Sequence, residues 1–177
     1  MKKNIYYQLV VIGLVILLIG CGASKTMVIN PVSGENKTKA SVVGIGSVES
    51  TVGAPQAILE KISNTLLEKL QKTGAFDTVT TEDITASGGA VKLDVMLLQF
   101  NQGDQFKRWF WGGLGQAGQG SLTLRVNYKD GSTGEKIAEI QTEGSIDSGF
   151  FGGDFGQAIN KALDEIVNYT VKNFGKT

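Results

Sequence analysis

Ser121-Leu122-Thr123-Leu124-Arg125-Val126-Asn127-Tyr128-Lys129 alternates apolar and polar side chains over its whole length, so one face of a strand is buried and the other is wet. Asp130-Gly131-Ser132-Thr133-Gly134 follows with turn chemistry, and Glu135 to Ile146 returns as a second strand. Placing Lys129 opposite Glu135 also sets Arg125 against Glu139 and Leu124 against Ile140. That gives opposite charges on one face and apolar partners on the other, with Ile137 alone on the wrong side. The hairpin establishes a sheet with one buried face.

Outward from it, Ala90 to Phe100 is the most apolar strand. Val91, Leu93, Val95 and Leu97 share one face, and Met96, Leu98 and Phe100 make the end of the other face apolar. This predicts a central strand covered in part on both sides. Ala40 to Val48 and Phe76 to Thr81 read as two further strands.

Two segments carry helical periodicity instead. From Pro55 to Thr73, Ile58, Ile62, Leu66 and Leu70 recur every fourth residue, with Leu59 and Leu67 widening the stripe. Pro55 suits a first-turn position, Glu68 and Lys72 form an i,i+4 pair, and Gly74 is a stop. From Phe155 to Phe174 the stripe is Phe155, Ile159, Ala162, Leu163, Ile166 and Thr170, introduced by Asp154 as cap with Gln157 three residues on. The order is β-α-β-β-β-β-α. The fold class is therefore α+β: a two-layer sandwich of a mixed or antiparallel sheet of about five strands, with both helices on one face.

The first residues have a different character. Lys2 and Lys3 precede an apolar run from Ile5 to Ile19, broken only by Gln8 and Gly13. A basic head and a short apolar run form a secretory signal, and the run is short of the roughly 20 residues that span a bilayer. Leu18-Ile19-Gly20-Cys21 resembles a bacterial lipobox, which implies a signal peptide at 1–20, cleavage before Cys21 and lipid on that residue. Gly22 stands where an aspartate would retain a lipoprotein in the inner membrane. The resemblance thus implies the outer membrane, facing the periplasm, in a Gram-negative source. Residues 21–39 read as a lipidated, flexible tether, with the apolar character of a short strand only at Met27–Ile29. Residues 40–177 form the single domain.

Composition narrows the chemistry. Cys21 is the only cysteine, so no disulfide forms within the chain. Losing Lys2 and Lys3 from 17 basic and 17 acidic residues leaves a mature net charge of −2, without the basic patch that nucleic acid requires. Histidine is absent, which removes His-based acid–base catalysis, Ser-His and Cys-His pairs, and the usual zinc sites. Asp94, Asp104, Asp147 and Asp154 are the carboxylates placed to be considered for hydrolysis, and none is assigned a catalytic role. No cofactor or metal is expected. Gly113-Leu114-Gly115-Gln116-Ala117-Gly118 spells a dinucleotide fingerprint, but a strand follows it where the phosphate site needs a helix.

The remaining candidates are aromatic. Lys107-Arg108-Trp109-Phe110-Trp111 places both tryptophans beside two cations, a composition suited to interaction hot spots and membrane interfaces, and equally to packing over a sheet end. Gly112, Gly113, Gly115 and Gly118 follow it, while Gly152 and Gly153 follow Phe150 and Phe151. Extending the hairpin register sets Gly113 opposite Phe151 and joins both segments in one candidate binding surface. The glycines would let the aromatics lean across the backbone.

These signatures, Arg108 to Gly118 leading into Leu122–Val126, then Thr133 to Ala138 and Gly149 to Gly153, resemble the bacterial lipoprotein family catalogued as domain of unknown function 4410. The resemblance runs from about Ala40 to the C-terminus. Thr73-Gly74-Ala75-Phe76 is also similar to the helix-to-strand junction of TolB amino-terminal and curli-secretion-channel periplasmic domains, a likeness of fold alone. Together these readings imply a membrane-anchored, non-enzymatic module that binds an envelope protein or assembles with itself. The alternative is a ligand-binding or hydrolytic domain acting on cell-wall or surface polysaccharide.

Overall fold

The computed structural model describes residues 24–32, 39–82, 84, 89–101, 121–145 and 155–176. They form an α+β sandwich of one mixed sheet with two helices against one face. In chain order the elements are β1 (Ser24–Asn30), β2 (Val42–Ser50), α1 (Gln56–Thr73), β3 (Thr78–Thr80), β4 (Ala90–Asn101), β5 (Ser121–Asp130), β6 (Lys136–Ser145) and α2 (Phe155–Phe174). The sheet order is β1-β6-β5-β4-β2-β3. β1, β6, β5 and β4 pair antiparallel, whereas β2 runs parallel to both β3 and β4.

The sheet has six strands where five were expected. The extra one is β1, drawn from the segment read as tether. It is ordered by β6 and by α2: Ser24 Oγ donates to Glu165 Oε1 at 2.8 Å and Thr26 Oγ1 to Oε2 at 2.6 Å. These long-range partners leave no signature in the local sequence.

The helices form as their stripes predict. Ile62, Leu66 and Leu70 of α1 are fully buried, with Ile58, Leu59 and Leu67 packed at the margin. Pro55 stands just before the first helical residue, its carbonyl accepting from Ile58 N at 2.9 Å. Gly74 ends α1 at φ 64°, a left-handed position that glycine takes without strain. The Glu68–Lys72 pair is present and solvated, so water and salt screen most of its attraction. In α2, Ile159, Ala162, Leu163, Ile166 and Thr170 are buried. Their partners across the layer are Leu122, Leu124, Val126 and Tyr128 of β5 and Ala138, Ile140 and Thr142 of β6.

Tyr128 closes the far end of this core. Its ring stacks on Phe174 with centroids 5.3 Å apart and meets Tyr169 at 5.4 Å. Thr170 Oγ1 donates to Ile166 O, so it accepts from the Tyr128 hydroxyl at 3.0 Å. Burial pushes the Tyr128 pKa well above the usual phenol value, and the ring stays neutral. At the same end Ala40 N donates to Phe174 O at 2.8 Å, tying the end of α2 to the entry of β2.

The hairpin register corrects the expected one by two residues. Val126, not Leu124, faces Ile140; Arg125 faces Gln141; and Lys129 faces Lys136. One residue of the shift arises in the turn, where Asp130 N bonds Glu135 O at 2.8 Å and shortens the loop to residues 131–134. The other is a bulge beside Tyr128–Ala138 that leaves Ile137 as the extra residue. Because the total is two beyond the bulge, every β6 side chain from Ala138 onward keeps its expected face. Ile137, the misfit in the alternating pattern, is the bulged residue and is buried.

β4 carries a second bulge, between Leu97 and Gln99. It returns Phe100 to the helix-facing side, opposite Leu122. The apolar end of the strand's other face was thus partly a change of phase: β4 is central, but Leu98 is the inserted residue, and Met96 is the one apolar residue on the far face before it, after Lys92 and Asp94.

The Asp130 carboxylate organises the turn. Its Oδ1 accepts from Ser132 N at 2.8 Å, Thr133 N at 2.9 Å and the Ser132 hydroxyl. The Ser132 hydroxyl first, and then the two backbone amides, hold its pKa below the usual value of 3.8. Its contribution to stability is present above that value and fades as pH falls through the lower folded pKa. Asp130→Ala should therefore weaken the domain at neutral pH and flatten the acid limb of its stability curve. Denaturant melts at several pH values will check this; parallel wild-type and variant curves would contradict it.

Candidate interaction surface

The helix-free face of the sheet is polar and ordered in rows across four strands. Lys25, Glu143, Thr123 and Gln99 form one row, Met27, Gln141, Arg125 and Met96 the next, and Asn30, Glu139, Asn127 and Asp94 a third. Each row follows from the strand period of two, which sends alternate residues to this side.

Charges on this face are largely matched. Glu139, whose side chain is only 12% exposed, receives Lys136 Nζ at 2.6 Å and lies 3.4 Å from Arg125 Nε. Arg125 and Glu139 are thus diagonal neighbours and still pair, although the expected register set them face to face. Asp94 is held by Lys129 Nζ at 2.7 Å and by Ser47 N at 3.2 Å. Its two partners, on β5 and β2, give Asp94 a structural role across neighbouring strands.

At one end of this face lies an open depression of about 290 Å³, lined by Lys25, Gln99, Ser121, Thr123, Glu143 and Ser145 among others. Thr123 Oγ1 donates to Gln99 Oε1 at 3.4 Å there. This is the end at which β4 stops, β5 starts and β6 stops, since Asn101 pairs with Ser121 and Ser121 with Ser145. Both glycine-rich segments therefore begin or end there. Lys107, Arg108, Trp109, Phe110, Trp111, Phe150 and Phe151 lie outside the described residues, as do Cys21 and Gly112, Gly113, Gly115, Gly118, Gly152 and Gly153. The facing of Gly113 by Phe151 lies outside them too, and the register from which it was counted is two residues off. Asp104, Asp147 and Asp154 are likewise beyond the described residues. Among those described, no three His, Cys, Asp or Glu side chains cluster as metal ligands.

The surface that the sequence underrated is the edge of the sheet. Among the described residues β1 is an edge strand whose one strand partner is β6, the kind of edge that another chain can extend. Met27, Val28 and Ile29 are 49%, 45% and 43% exposed, three of the four exposed large apolar residues among those described. Isolated exposed apolar residues mean little, but three in succession on a strand at the edge of the described sheet form an adhesive strip. Their apolar run, closed by Asn30-Pro31, was the visible signal.

Residues 40–149 match the family described as Domain of unknown function (DUF4410). The chain belongs to this family. The DUF4410 match takes in β2 through β6 and α1, while β1 and α2 lie outside it. No curated protein matches the chain. Among solved structures, the PelC dodecamer from Paraburkholderia phytofirmans superposes with a TM-score of 0.55 at 11% identity, covering 89% of this chain and 100% of that one. A Xanthomonas campestris protein of family DUF330 gives 0.55 at 11% identity, covering 76% and 87%. At such identities the likeness is one of fold.

Proposed function

We propose that this DUF4410 protein is an envelope lipoprotein, anchored through lipid on Cys21, that works as a non-enzymatic assembly module in the outer membrane, facing the periplasm. The observation that carries the reading is the exposed Met27–Ile29 edge of β1, which begins three residues after Cys21. An apolar edge that stays exposed in a secreted domain is a hazard unless another chain covers it. A second copy is the economical partner, because closed self-association buries the same strip on every subunit. Likeness of fold to a protein crystallised as a dodecamer supports this choice. The aromatic segments around Trp109–Trp111 and Phe150–Phe151 belong to the same reading as a second contact surface. The polysaccharide-acting alternative finds less support: among the described residues of its lining the depression offers Glu143 as the single carboxylate, where glycoside hydrolysis ordinarily uses a pair.

Two substitutions test the reading. Cys21→Ser should abolish palmitate labelling and release the protein from the membrane fraction. Met27→Lys combined with Ile29→Lys should leave the fold intact and convert the assembled species to monomer, as seen by light scattering of the detergent-extracted protein. A wild-type protein that is monomeric, or a double variant as assembled as the parent, would remove the edge as the interface.

A further inference from the structure

We infer that the sheet end formed by Ser24, Gly144, Leu122 and Phe100 is the membrane-facing end of the domain, held on a lipid surface by the acyl group of Cys21. The inference rests on the lipid anchor proposed above and adds an orientation to it.

Chain length supplies the first argument. Only Gly22 and Ala23 separate Cys21 from Ser24. A fully extended chain reaches at most about 3.6 Å per residue, so the two α-carbons lie within about 11 Å of each other. Ser24 has no slack to add. It is paired with Gly144 from the first residue of β1, and its hydroxyl, with that of Thr26, is bonded to Glu165 of α2. The folded body therefore starts almost at the lipid.

Register supplies the second. Ser24 faces Gly144, Gly144 faces Leu122, and Leu122 faces Phe100, so one line across four strands marks the end nearest the anchor. The turn at 131–134 is at the opposite end of β5. From Leu122 to Asp130 the strand rises about 3.3 Å per residue, placing that turn about 26 Å farther from the anchor. The near end offers Lys25, Glu143 and Gln99 exposed in a single row, side chains suited to the headgroup layer and not to hydrocarbon. This fits a domain resting on the interface. β1 then runs away from the membrane, and its apolar edge stands where a neighbouring copy in the same leaflet can meet it.

Since acylation occupies the chain's only cysteine, a single added thiol can be labelled selectively. Gln99→Cys and Ser145→Cys mark the near end, and Ser132→Cys marks the turn. Each lipoprotein would carry a nitrobenzoxadiazole label and be reconstituted in phosphatidylcholine–phosphatidylglycerol vesicles containing headgroup spin-labelled lipid. Quenching at positions 99 and 145 should exceed that at 132 several-fold. Equal quenching at all three positions, or stronger quenching at 132, would overturn the orientation. Acyl analysis of the same samples separates the two readings. Acylated protein with the wrong quenching order sinks the orientation alone, whereas protein that carries no lipid sinks the anchor and the orientation with it. Circular dichroism of each variant ensures that a misfolded protein is not scored, and the two near-end positions serve as independent probes.

Discussion

Leu66→Ala and Ile166→Ala should each destabilise the domain by about 2–5 kcal/mol, the range for large-to-small changes in a packed core. Both side chains are fully buried, one from each helix, in the single core between the helices and the sheet. Truncation removes apolar contacts and leaves a cavity that neighbours held by strand pairing fill only in part. Urea melts of the soluble, non-acylated form will read the change in midpoint. Losses below about 1 kcal/mol for both would mean that the two helices do not share a core, because exposed positions lie within roughly 0.5 kcal/mol.

Gly144→Val should also be damaging, for the opposite reason. A β-carbon on Gly144 would lie 2.0 Å from Ala158 O and 3.0 Å from Ala162 N, both backbone atoms of α2. No rotamer change relieves a clash with backbone, so α2 must move off the sheet or β6 must bend. Overpacking of this kind costs typically about 1–3 kcal/mol and occasionally more, and here it also disturbs the seat of Glu165, which holds β1. Loss of protection of the β1 amides in hydrogen exchange, together with a lowered melting temperature, is expected. A valine variant with wild-type exchange at β1 would contradict the close approach.

How much of this was readable without coordinates depends on the range of the interaction. The helices were legible because Ile58-Ile62-Leu66-Leu70 and Ile159-Leu163-Ile166 repeat within one element, and burial follows from the repeat. The faces of β5 and β6 were legible for the same reason, through a period of two. Register was not, because the shortened loop after Asp130 and the bulge at Ile137 depend on backbone hydrogen bonds that side-chain patterns record only as a misfit. Phe100 misled through the bulge before it. β1 was read as tether because its main partners, β6 and Glu165, lie more than a hundred residues away. The aromatic residues that drew most attention lie outside the described residues. The edge of β1, noted in sequence only as a short apolar run, carries the functional reading.

We propose that this chain is a lipid-anchored subunit of an assembly. Native mass spectrometry of the protein extracted from its own membrane in mild detergent tests it most directly, since subunit mass and stoichiometry come from one spectrum. The expected result is a complex of several identical subunits, each beginning at Cys21 and heavier than the bare polypeptide by its acyl groups. A bare monomer with no added lipid mass would contradict the claim.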